Sequence, residues 1–195
     1  EGTLNMIDLS AHDPGRALVA LYRYRRDDFQ PYVYRTDDYG QTWTSVAGDL
    51  PNEPINVIRE DHRNPNLLFV GTEFGLFASV DGGRAWHRMD RDLPTVPVHD
   101  LVIHPRENDL VLGTFGRGFW VLDNLAPLRQ GTTDVTAAPA QLFAPPRAVR
   151  SGPAVTLSWW LKEPAQDAKL EILDAAGKVL RTFEPAPDTA KAGGE

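Results

Sequence analysis

The chain reads Thr36-Asp37-Asp38-Tyr39-Gly40-Gln41-Thr42-Trp43 at one point and Ser79-Val80-Asp81-Gly82-Gly83-Arg84-Ala85-Trp86 at a second point. Both stretches follow one pattern: hydroxyl, any residue, Asp, any residue, Gly, any residue, small residue, Trp. We call them the first and second motif. They begin 43 residues apart, at positions 36 and 79. A repeat of about 40–45 residues built from short strands is the spacing of one β-propeller blade.

Each motif has the composition of a tight hairpin turn. An Asp side chain in a turn accepts hydrogen bonds from nearby backbone N–H groups, and Gly supplies the positive φ angle that the turn needs. The Trp begins the next strand and covers the turn with an apolar ring. These roles make eight positions structural: Thr36, Asp38, Gly40, Trp43, Ser79, Asp81, Gly83 and Trp86.

Short strands surround the two motifs in a regular order. Innermost strands are predicted at 6–9, 56–59 and 100–103, second strands at 17–20, 67–70 and 110–113, and third strands at 32–35, 76–79 and 119–122. Fourth strands are predicted to begin at Trp43 and Trp86. The third repeat has neither the Gly nor the Trp after Asp123, so its motif is incomplete. Two full blades and most of a third are fewer than the four to eight blades that typically close a propeller.

The motifs resemble the Asp box of BNR-repeat propellers, a group that includes sialidases, sortilin-like proteins and two-propeller xyloglucan hydrolases. The segment 114–123, Thr-Phe-Gly-Arg-Gly-Phe-Trp-Val-Leu-Asp, is similar to the last blade of large bacterial sortilin-like proteins. The resemblance implies that the motifs lie on outer turns of the blades, as scaffold and away from the central channel. A carbohydrate or calcium role for the motif carboxylates is the alternative interpretation.

The chain changes character after Asn124. We predict propeller blades over 1–130, a linker rich in Pro, Ala and Thr over 131–150, and a second module over 151–195. Alternating strands at 154–161, 169–174 and 179–183 resemble the opening strands of the immunoglobulin-like module that follows the propellers in the same bacterial proteins. A flexible tail comes after them. The predicted fold class is all-β: about three blades of an incomplete Asp-box propeller, then a partial immunoglobulin-like sandwich.

Composition argues against several kinds of partner. A net charge of −7 disfavours nucleic acid and anionic membrane surfaces. No apolar stretch approaches the ~18 residues that span a bilayer. The chain has no cysteine, which excludes disulfides and thiolate metal sites. His12, His62 and His104 recur on successive repeats and are therefore not expected to converge on one metal ion. We expect no metal and no cofactor.

Ligands of propellers usually meet the loops that join second to third strands and those that enter the innermost strands. Glu73 and Arg117 occupy corresponding loops of adjacent repeats, where a carboxylate near a guanidinium could bind a sugar hydroxyl or a carboxylated ligand. A solvated ion pair is the alternative. Phe115, Phe119 and Trp120 are expected in the core. The candidate ligand-binding residues are Arg25, Arg26, Asp28, Asn56, Glu73, His99 and Arg117.

These observations favour a non-catalytic binding and scaffolding module of an exported bacterial protein, with a peptide or glycan ligand at the channel face. The alternative is a fragment of a sialidase- or xyloglucanase-like glycoside hydrolase whose catalytic carboxylates lie largely on other blades. Such an enzyme needs two carboxylates about 5–10 Å apart, and spacing singles out no pair. A purely structural subunit is the third possibility. Open blades expose apolar surface and strand edges, so we expect remaining blades of a parent protein, or another chain, to complete the propeller.

Overall fold

The computed structural model describes residues 2–89, 91–145, 156–164 and 169–184. The first antiparallel sheet, which we call blade 1, runs in chain order from its innermost to its outermost strand. A short 3-10 turn (Tyr24–Arg26) joins its second strand to its third. Its strands are β1 (Thr3–Leu9), β2 (Ala17–Arg23), β3 (Asp28–Thr36) and β4 (Thr44–Ser45).

Two further sheets repeat this up-and-down order, as predicted. Both observed fourth strands begin one residue after the motif Trp. In the described part of the chain blade 3 has three strands, in keeping with its incomplete motif. Blade 2 contains β5 (Ile55–Glu60), β6 (Leu68–Thr72), β7 (Leu76–Ser79) and β8 (His87–Arg88), and blade 3 contains β9 (Val98–Ile103), β10 (Leu110–Thr114) and β11 (Phe119–Leu122).

Each innermost strand bulges at one residue near its start. Pairing with the second strand skips Asn5, Asn56 and His99, which therefore occupy equivalent positions in the three blades. Met6 consequently corresponds to Val57, so the predicted strands at 6–9 and 56–59 are offset by one residue. In β5 the bulge shifts the alternation, so that Ile55 and Ile58 lie on one face and Val57 on the other. Because both faces carry apolar residues, the sequence does not show this shift.

The blades pack against one another through apolar faces. Alternation along each strand sends side chains to both sides of the sheet, and blade 2 is covered on both sides. A fully buried aliphatic or aromatic side chain contributes roughly 1.5–3 kcal/mol. The first interface contains Leu18, Ala20, Val33, Ile55, Ile58, Val70, Phe77 and Trp86, and the second contains Val57, Phe69, Leu76, Ala78, Leu101, Leu110 and Leu112.

Two glycines let neighbouring blades approach closely. A Cβ atom at Gly71 would lie 2.6 Å from the carbonyl oxygen of Val98 in blade 3. A Cβ atom at Gly83 would lie 2.6 Å from the carbonyl oxygen of Val46, just after β4. Gly83 also has a φ of 90°, in the left-handed region that favours glycine. Backbone contacts at these two points therefore set the spacing of the blades.

One guanidinium links the innermost strands of all three blades. Arg59 on β5 donates from Nη1 to Asp8 Oδ1 on β1 over 2.7 Å, and from Nε to the Leu101 carbonyl on β9 over 2.7 Å. Asp8 Oδ2 also accepts the backbone N–H of Glu60 over 2.8 Å. Charge-assisted hydrogen bonds of this kind are stronger than neutral ones, so Arg59 ties the inner strands of the three blades together.

The carboxylate of the first motif holds its own turn. Asp38 Oδ1 accepts from the Thr42 backbone N–H (2.9 Å) and the Thr36 hydroxyl (2.8 Å), while Oδ2 accepts from the Thr42 hydroxyl (2.6 Å). These hydrogen bonds, those from Thr42 first, lower the pKa of Asp38 to about 2. Because that pKa lies below the ordinary value of 3.8, the stabilisation is complete at neutral pH and is lost as the pH falls towards 2.

The second motif is built in the same way. Asp81 Oδ1 accepts the Ser79 hydroxyl over 2.8 Å and the backbone N–H groups of Arg84 and Ala85, each over 3.0 Å.

We predict that Asp81→Ala lowers the free energy of unfolding by about 2 kcal/mol, because three donors lose their acceptor. Urea unfolding measures this change. The control is Asp123→Ala, which removes an exposed carboxylate of the incomplete third motif and should change stability by less than about 0.5 kcal/mol. Equal losses in both variants would contradict the prediction.

A helix docks back onto the blades where the chain leaves blade 3. Helix α1 (Ala126–Gln130) carries Arg129, whose Nη2 lies 2.7 Å from Asp61 Oδ2 and whose Nε lies 2.9 Å from the same oxygen. Asp61 is fully buried in the turn after β5. Arg129 Nη1 also donates to Asn108 Oδ1 in blade 3. Burial raises the pKa of Asp61, but the hydrogen bonds from Arg129 and nearby backbone outweigh burial and hold that pKa below its usual value.

We predict that Arg129→Met lowers the free energy of unfolding by about 3 kcal/mol, because it leaves the buried Asp61 carboxylate without its cation. Chemical denaturation followed by far-ultraviolet circular dichroism measures the loss. Arg106→Met is the matched control, since Arg106 is an exposed arginine in the turn after β9. If the two substitutions cost the same, the Arg129–Asp61 pair does not anchor α1.

The remaining elements form two small sheets. Helix α2 (Thr133–Ala137) and strand β12 (Ala140–Leu142) lie within the segment 131–150 that was expected to be a linker. Strand β12 pairs with β13 (Trp159–Leu161), and β14 (Leu170–Leu173) pairs with β15 (Val179–Phe183) in the predicted hairpin. Of the strand predicted at 154–161, residues 154 and 155 lie outside the described residues, and the observed strand begins at Trp159. The predicted tail from 185 onwards also lies outside the described residues. Among the described residues, no helix has the length and apolar character needed to cross a membrane.

Candidate functional site

The candidate ligand-binding residues gather at one end of the blades. This end, which we call the loop end, carries the turns between second and third strands and the segments that return to the next innermost strand. The two motifs lie at the opposite end, which we call the motif end. The antiparallel order of the strands causes this separation, because successive turns alternate between the two ends. The structural and the candidate binding residues therefore occupy different surfaces.

Glu73 and His99 meet across the boundary between blades 2 and 3. Glu73 Oε1 lies 3.9 Å from His99 Nε2, and both side chains are partly exposed. The His99 ring stacks on Phe115, with ring centroids 5.7 Å apart and an angle of 22° between the planes. Phe115 is 72% exposed. A carboxylate, an imidazole and an open aromatic face thus form one continuous surface, which we call the Glu73 surface.

Matching turns position this surface. The backbone N–H of Thr72 donates to the Gly75 carbonyl (2.9 Å), and that of Thr114 donates to the Gly118 carbonyl (3.1 Å). The residue after each Thr donates to the segment that enters the same blade: Glu73 N–H to the Pro54 carbonyl and Phe115 N–H to the Pro97 carbonyl. Glu73 and Phe115 therefore occupy equivalent positions on adjacent blades.

Glu53, a carboxylate that the sequence did not single out, also lies at the loop end. The buried hydroxyl of Thr72 donates to Glu53 Oε2 over 2.6 Å, and Arg88 Nη1 lies 4.0 Å from Glu53 Oε1. Its side chain is largely buried. Glu53 therefore supports the turn that presents Glu73. The signal in the sequence is weak, because Glu53 stands in a Pro-rich return segment without any strand pattern.

The alternative interpretation of Glu73 and Arg117 as an ion pair does not apply to the described residues. Arg117 is exposed, and its backbone carbonyl accepts the indole N–H of Trp120 over 3.2 Å. Glu73 pairs with His99 instead, because His99 bulges from β9 towards the β6–β7 turn. Trp120 packs against the core as predicted, whereas Phe115 and Phe119 are mostly exposed. Phe115 stands in a turn and Phe119 on the outer face of β11, which no described residue covers.

Asn56 is an interior residue of the loop end. It is only 7% exposed, and its carbonyl accepts the side-chain amide of Asn5 over 2.6 Å. The Asn56 Nδ2 atom is buried and has no hydrogen-bond partner within the described part of the chain. Asn5, Asn56 and His99 thus occupy the bulges of the three inner strands; Asn5 and His99 are exposed, and Asn56 between them is buried.

The longer loop of blade 1 holds a separate cluster. The Tyr32 hydroxyl donates to Asp28 Oδ2 over 2.7 Å, and Arg23 Nη1 lies 3.0 Å from the same oxygen. Tyr22 and Tyr24 stack with ring centroids 4.8 Å apart. Arg25 and Arg26 line a groove of about 310 Å³ beside this cluster. Of the candidates on this loop, Asp28 is therefore committed to neighbours within blade 1.

The histidines at the motif end do not form a metal site. His12 Nε2 lies 2.8 Å from the Asp61 backbone carbonyl. His62 is partly buried, and burial lowers its pKa below the usual value. Across the residues that the structure describes, no group of three or more His, Asp or Glu side chains converges in a way that could hold a metal ion.

Solved structures of other proteins are similar to part of this chain. A GH74 enzyme from Niastella koreensis is 15% identical, with 62% of this chain and 21% of that chain covered and a TM-score of 0.51. The three sheets are β-propeller blades. A GH74 xyloglucanase from Xanthomonas campestris is 17% identical (60% and 20% covered, TM-score 0.46), and YCF48 bound to D1 peptide is 14% identical (63% and 36% covered, TM-score 0.44).

At these identities the likeness concerns the fold alone. The chain spans about a fifth of the length of the two GH74 enzymes and about a third of YCF48, as the covered shares of 21%, 20% and 36% state. No protein-family model and no curated protein sequence matches the chain significantly. The chemistry of the loop end therefore has to be argued from its own residues.

The Asp28 cluster makes a prediction that can be tested directly. The hydrogen bond from Tyr32, more than the charge of Arg23, lowers the pKa of Asp28 below 3.8. We predict that Tyr32→Phe raises the pKa of Asp28 back towards 3.8, because the carboxylate loses its strongest donor. Carboxyl-carbon NMR titration measures the value. Tyr34→Phe, on the same strand, should leave it unchanged; an unshifted Asp28 in Tyr32→Phe would show that the hydroxyl does not donate in solution.

Proposed function

We propose that the chain is a non-catalytic binding and scaffolding part of a propeller, of the sortilin-like Asp-box class, in an exported bacterial protein. It holds a glycan segment on the Glu73 surface at the loop end. The single observation that carries this proposal is the geometry between blades 2 and 3, where an exposed aromatic ring stacks on His99 and His99 lies 3.9 Å from Glu73.

This surface has the chemistry that a sugar requires. The apolar face of a pyranose ring packs on an exposed aromatic ring, and Phe115, which stacks on His99 and is 72% exposed, presents such a ring. The hydroxyls of the sugar donate to a carboxylate, for which Glu73 offers acceptor oxygens. The ring nitrogens of His99 add hydrogen-bonding groups to the surface, and the stack with Phe115 holds the ring in place.

The other carboxylates at the loop end favour binding over hydrolysis. A glycosidase needs one carboxylic acid that donates a proton and a second carboxylate across the bond. Glu53 accepts from Thr72 and is largely buried, while Tyr32 and Arg23 hold the pKa of Asp28 low and keep it ionised. Glu73 is thus an open carboxylate that neither Glu53 nor Asp28 matches, while the exposed Asp100 on β9 lies 3.6 Å from Arg59 Nη2. A role as part of a glycoside hydrolase is the second candidate function, because Glu73 is accessible beside a histidine.

A proposal about the second module accompanies this function. The sheets β12–β13 and β14–β15 enclose an apolar cleft of about 450 Å³, lined chiefly by Leu142, Trp159, Trp160, Leu170 and Phe183. A cleft between two small sheets is what the opening strands of an immunoglobulin-like sandwich would form before further strands cover it. We infer that residues from about 151 onwards belong to such a sandwich, and that β12 of the connecting segment 131–150 contributes a strand to it.

Glycan binding can be tested by isothermal titration calorimetry against soluble β-1,4-glucan and xyloglucan oligosaccharides. We predict measurable binding that Phe115→Ala weakens at least about tenfold and that Glu73→Gln weakens by a similar factor, since each removes one of the two contacts. Tyr39→Ala and Glu107→Gln are the matched controls, because they remove an exposed aromatic ring and an exposed carboxylate at the motif end. Both controls should bind as the unchanged chain does.

Three outcomes would count against the proposal. Loss of binding in the motif-end controls would locate the ligand elsewhere. If the chain binds members of a peptide library and binds no glycan, the ligand is a peptide and not a glycan. Release of reducing ends that Glu73→Gln abolishes would establish the hydrolase instead.

A further inference from the structure

The outer face of blade 1 is equivalent, position by position, to a face that is buried inside the chain. The shared register of the three blades aligns Leu4 with Ile55, Ile7 with Ile58 and Val19 with Val70. In blade 2 these positions belong to the core that packs on blade 1, and Ile55, Ile58 and Val70 are fully buried. In blade 1 the same positions face away from blade 2.

The outer face of blade 1 is nevertheless apolar. Leu4, Ile7 and Leu9 are all about half exposed or more, and Trp43 is 44% exposed. These side chains line a shallow depression of about 520 Å³ together with residues of β2. A contiguous apolar surface of this kind on a soluble protein marks an interaction site. Because the internal counterpart of this face packs on a blade, its composition points to a blade as the partner.

The two motif tryptophans show which hydrogen-bond acceptors a partner of blade 1 must supply. Trp86 is 6% exposed, and its indole N–H crosses to blade 1, where it donates to the carbonyl of Val46 over 3.1 Å. The backbone N–H of Trp86 donates to Asp49 Oδ1 in the same return segment over 2.7 Å. Trp43, the equivalent residue of blade 1, meets no return segment within the described residues and turns its indole N–H back to the carbonyl of Gly40 (3.1 Å).

A second copy of this chain does not meet that requirement. The free face of blade 3 is apolar, with Val102, Phe119 and Val121 all more than half exposed. However, β11 is followed in the described residues by Leu125 and α1, not by a fourth strand and a return segment. Blade 3 of another copy would therefore cover the apolar side chains of blade 1 and leave Trp43 without its acceptors.

We propose that the outer face of blade 1 binds a further four-stranded propeller blade whose return segment accepts the indole N–H of Trp43. Leu9 defines the partner more closely. Its counterpart in blade 2 is Glu60, which is buried and accepts from Ser10 and Arg16 of blade 1. An aliphatic side chain at this position requires an apolar neighbour, so the incoming blade lacks an arginine there. This inference is independent of the ligand at the loop end.

The test adds such a blade to the full chain. A copy of residues 2–54 is fused directly to the amino-terminal side of Leu4, which keeps the natural blade spacing because Leu4 and Ile55 are equivalent. Exchange of the indole N–H protons is then followed by NMR. We predict that exchange at the original Trp43 slows by about tenfold or more, since this proton becomes bonded at a buried interface. The Trp43 of the added copy, which stays at the outer face, is the internal control.

A second variant allows for the mismatch at Leu9. The added blade brings Ser10 and Arg16 opposite this residue, and Leu9→Glu in the original blade restores the pair found at Glu60. We expect slower exchange of the original Trp43 indole proton in at least the Leu9→Glu form of the extended chain. The proposal would be overturned if the original and the added Trp43 exchange at the same rate, with Leu9 and with Glu at that position. A second result would also overturn it. If the unextended chain self-associates in sedimentation experiments and its Trp43 indole proton exchanges slowly at high concentration, a second copy could be the partner. Loss of this protection in Val121→Asp would establish that a second copy covers the face.

Discussion

The architecture depends on how closely the backbones of neighbouring blades approach. Gly71 meets the carbonyl of Val98 and Gly83 meets that of Val46, at distances that leave no room for a Cβ atom. These contacts bring the apolar faces of adjacent sheets together over their whole width, so that side chains such as Phe69 and Ile58 are completely buried. The same approach brings His99 of blade 3 beside Glu73 of blade 2. The spacing of the blades thus determines both the core and the candidate binding surface.

Local patterns predicted the strands well because each blade is assembled from neighbours in sequence. The second strands are continuous apolar runs, the turns are rich in Pro, Asn, Asp and Gly, and the two motifs mark the third turn of each full blade. What local patterns missed was the extra residue in each innermost strand. The bulge at Asn56 shifts the alternation of β5 and changes which residues are equivalent between blades, but apolar residues on both faces of the strand hide the shift in the sequence.

The candidate site was predictable as a region and not as a set of contacts. The rule that ligands meet the loop end assigned Glu73, His99 and Arg117 to one surface. The choice of His99 over Arg117 as the neighbour of Glu73 depends on the angle between two blades, which no pattern within one blade encodes. Phe115 was assigned to the core together with Phe119 and Trp120, because the three form an aromatic run. The hydrogen bond from Thr114 to the carbonyl of Gly118 closes a turn there and lifts the ring into solvent.

The pair formed by Asp61 and Arg129 has a consequence for the way the protein matures during synthesis. Asp61 lies in blade 2, but its guanidinium partner is encoded 68 residues later, after the last strand of blade 3. While the nascent chain ends before Arg129, the carboxylate of Asp61 has no cation with which to be buried, and the desolvation of an unpaired charge is unfavourable. The ion pair that holds Asp61 in blade 2 therefore forms only after α1 has left the ribosome.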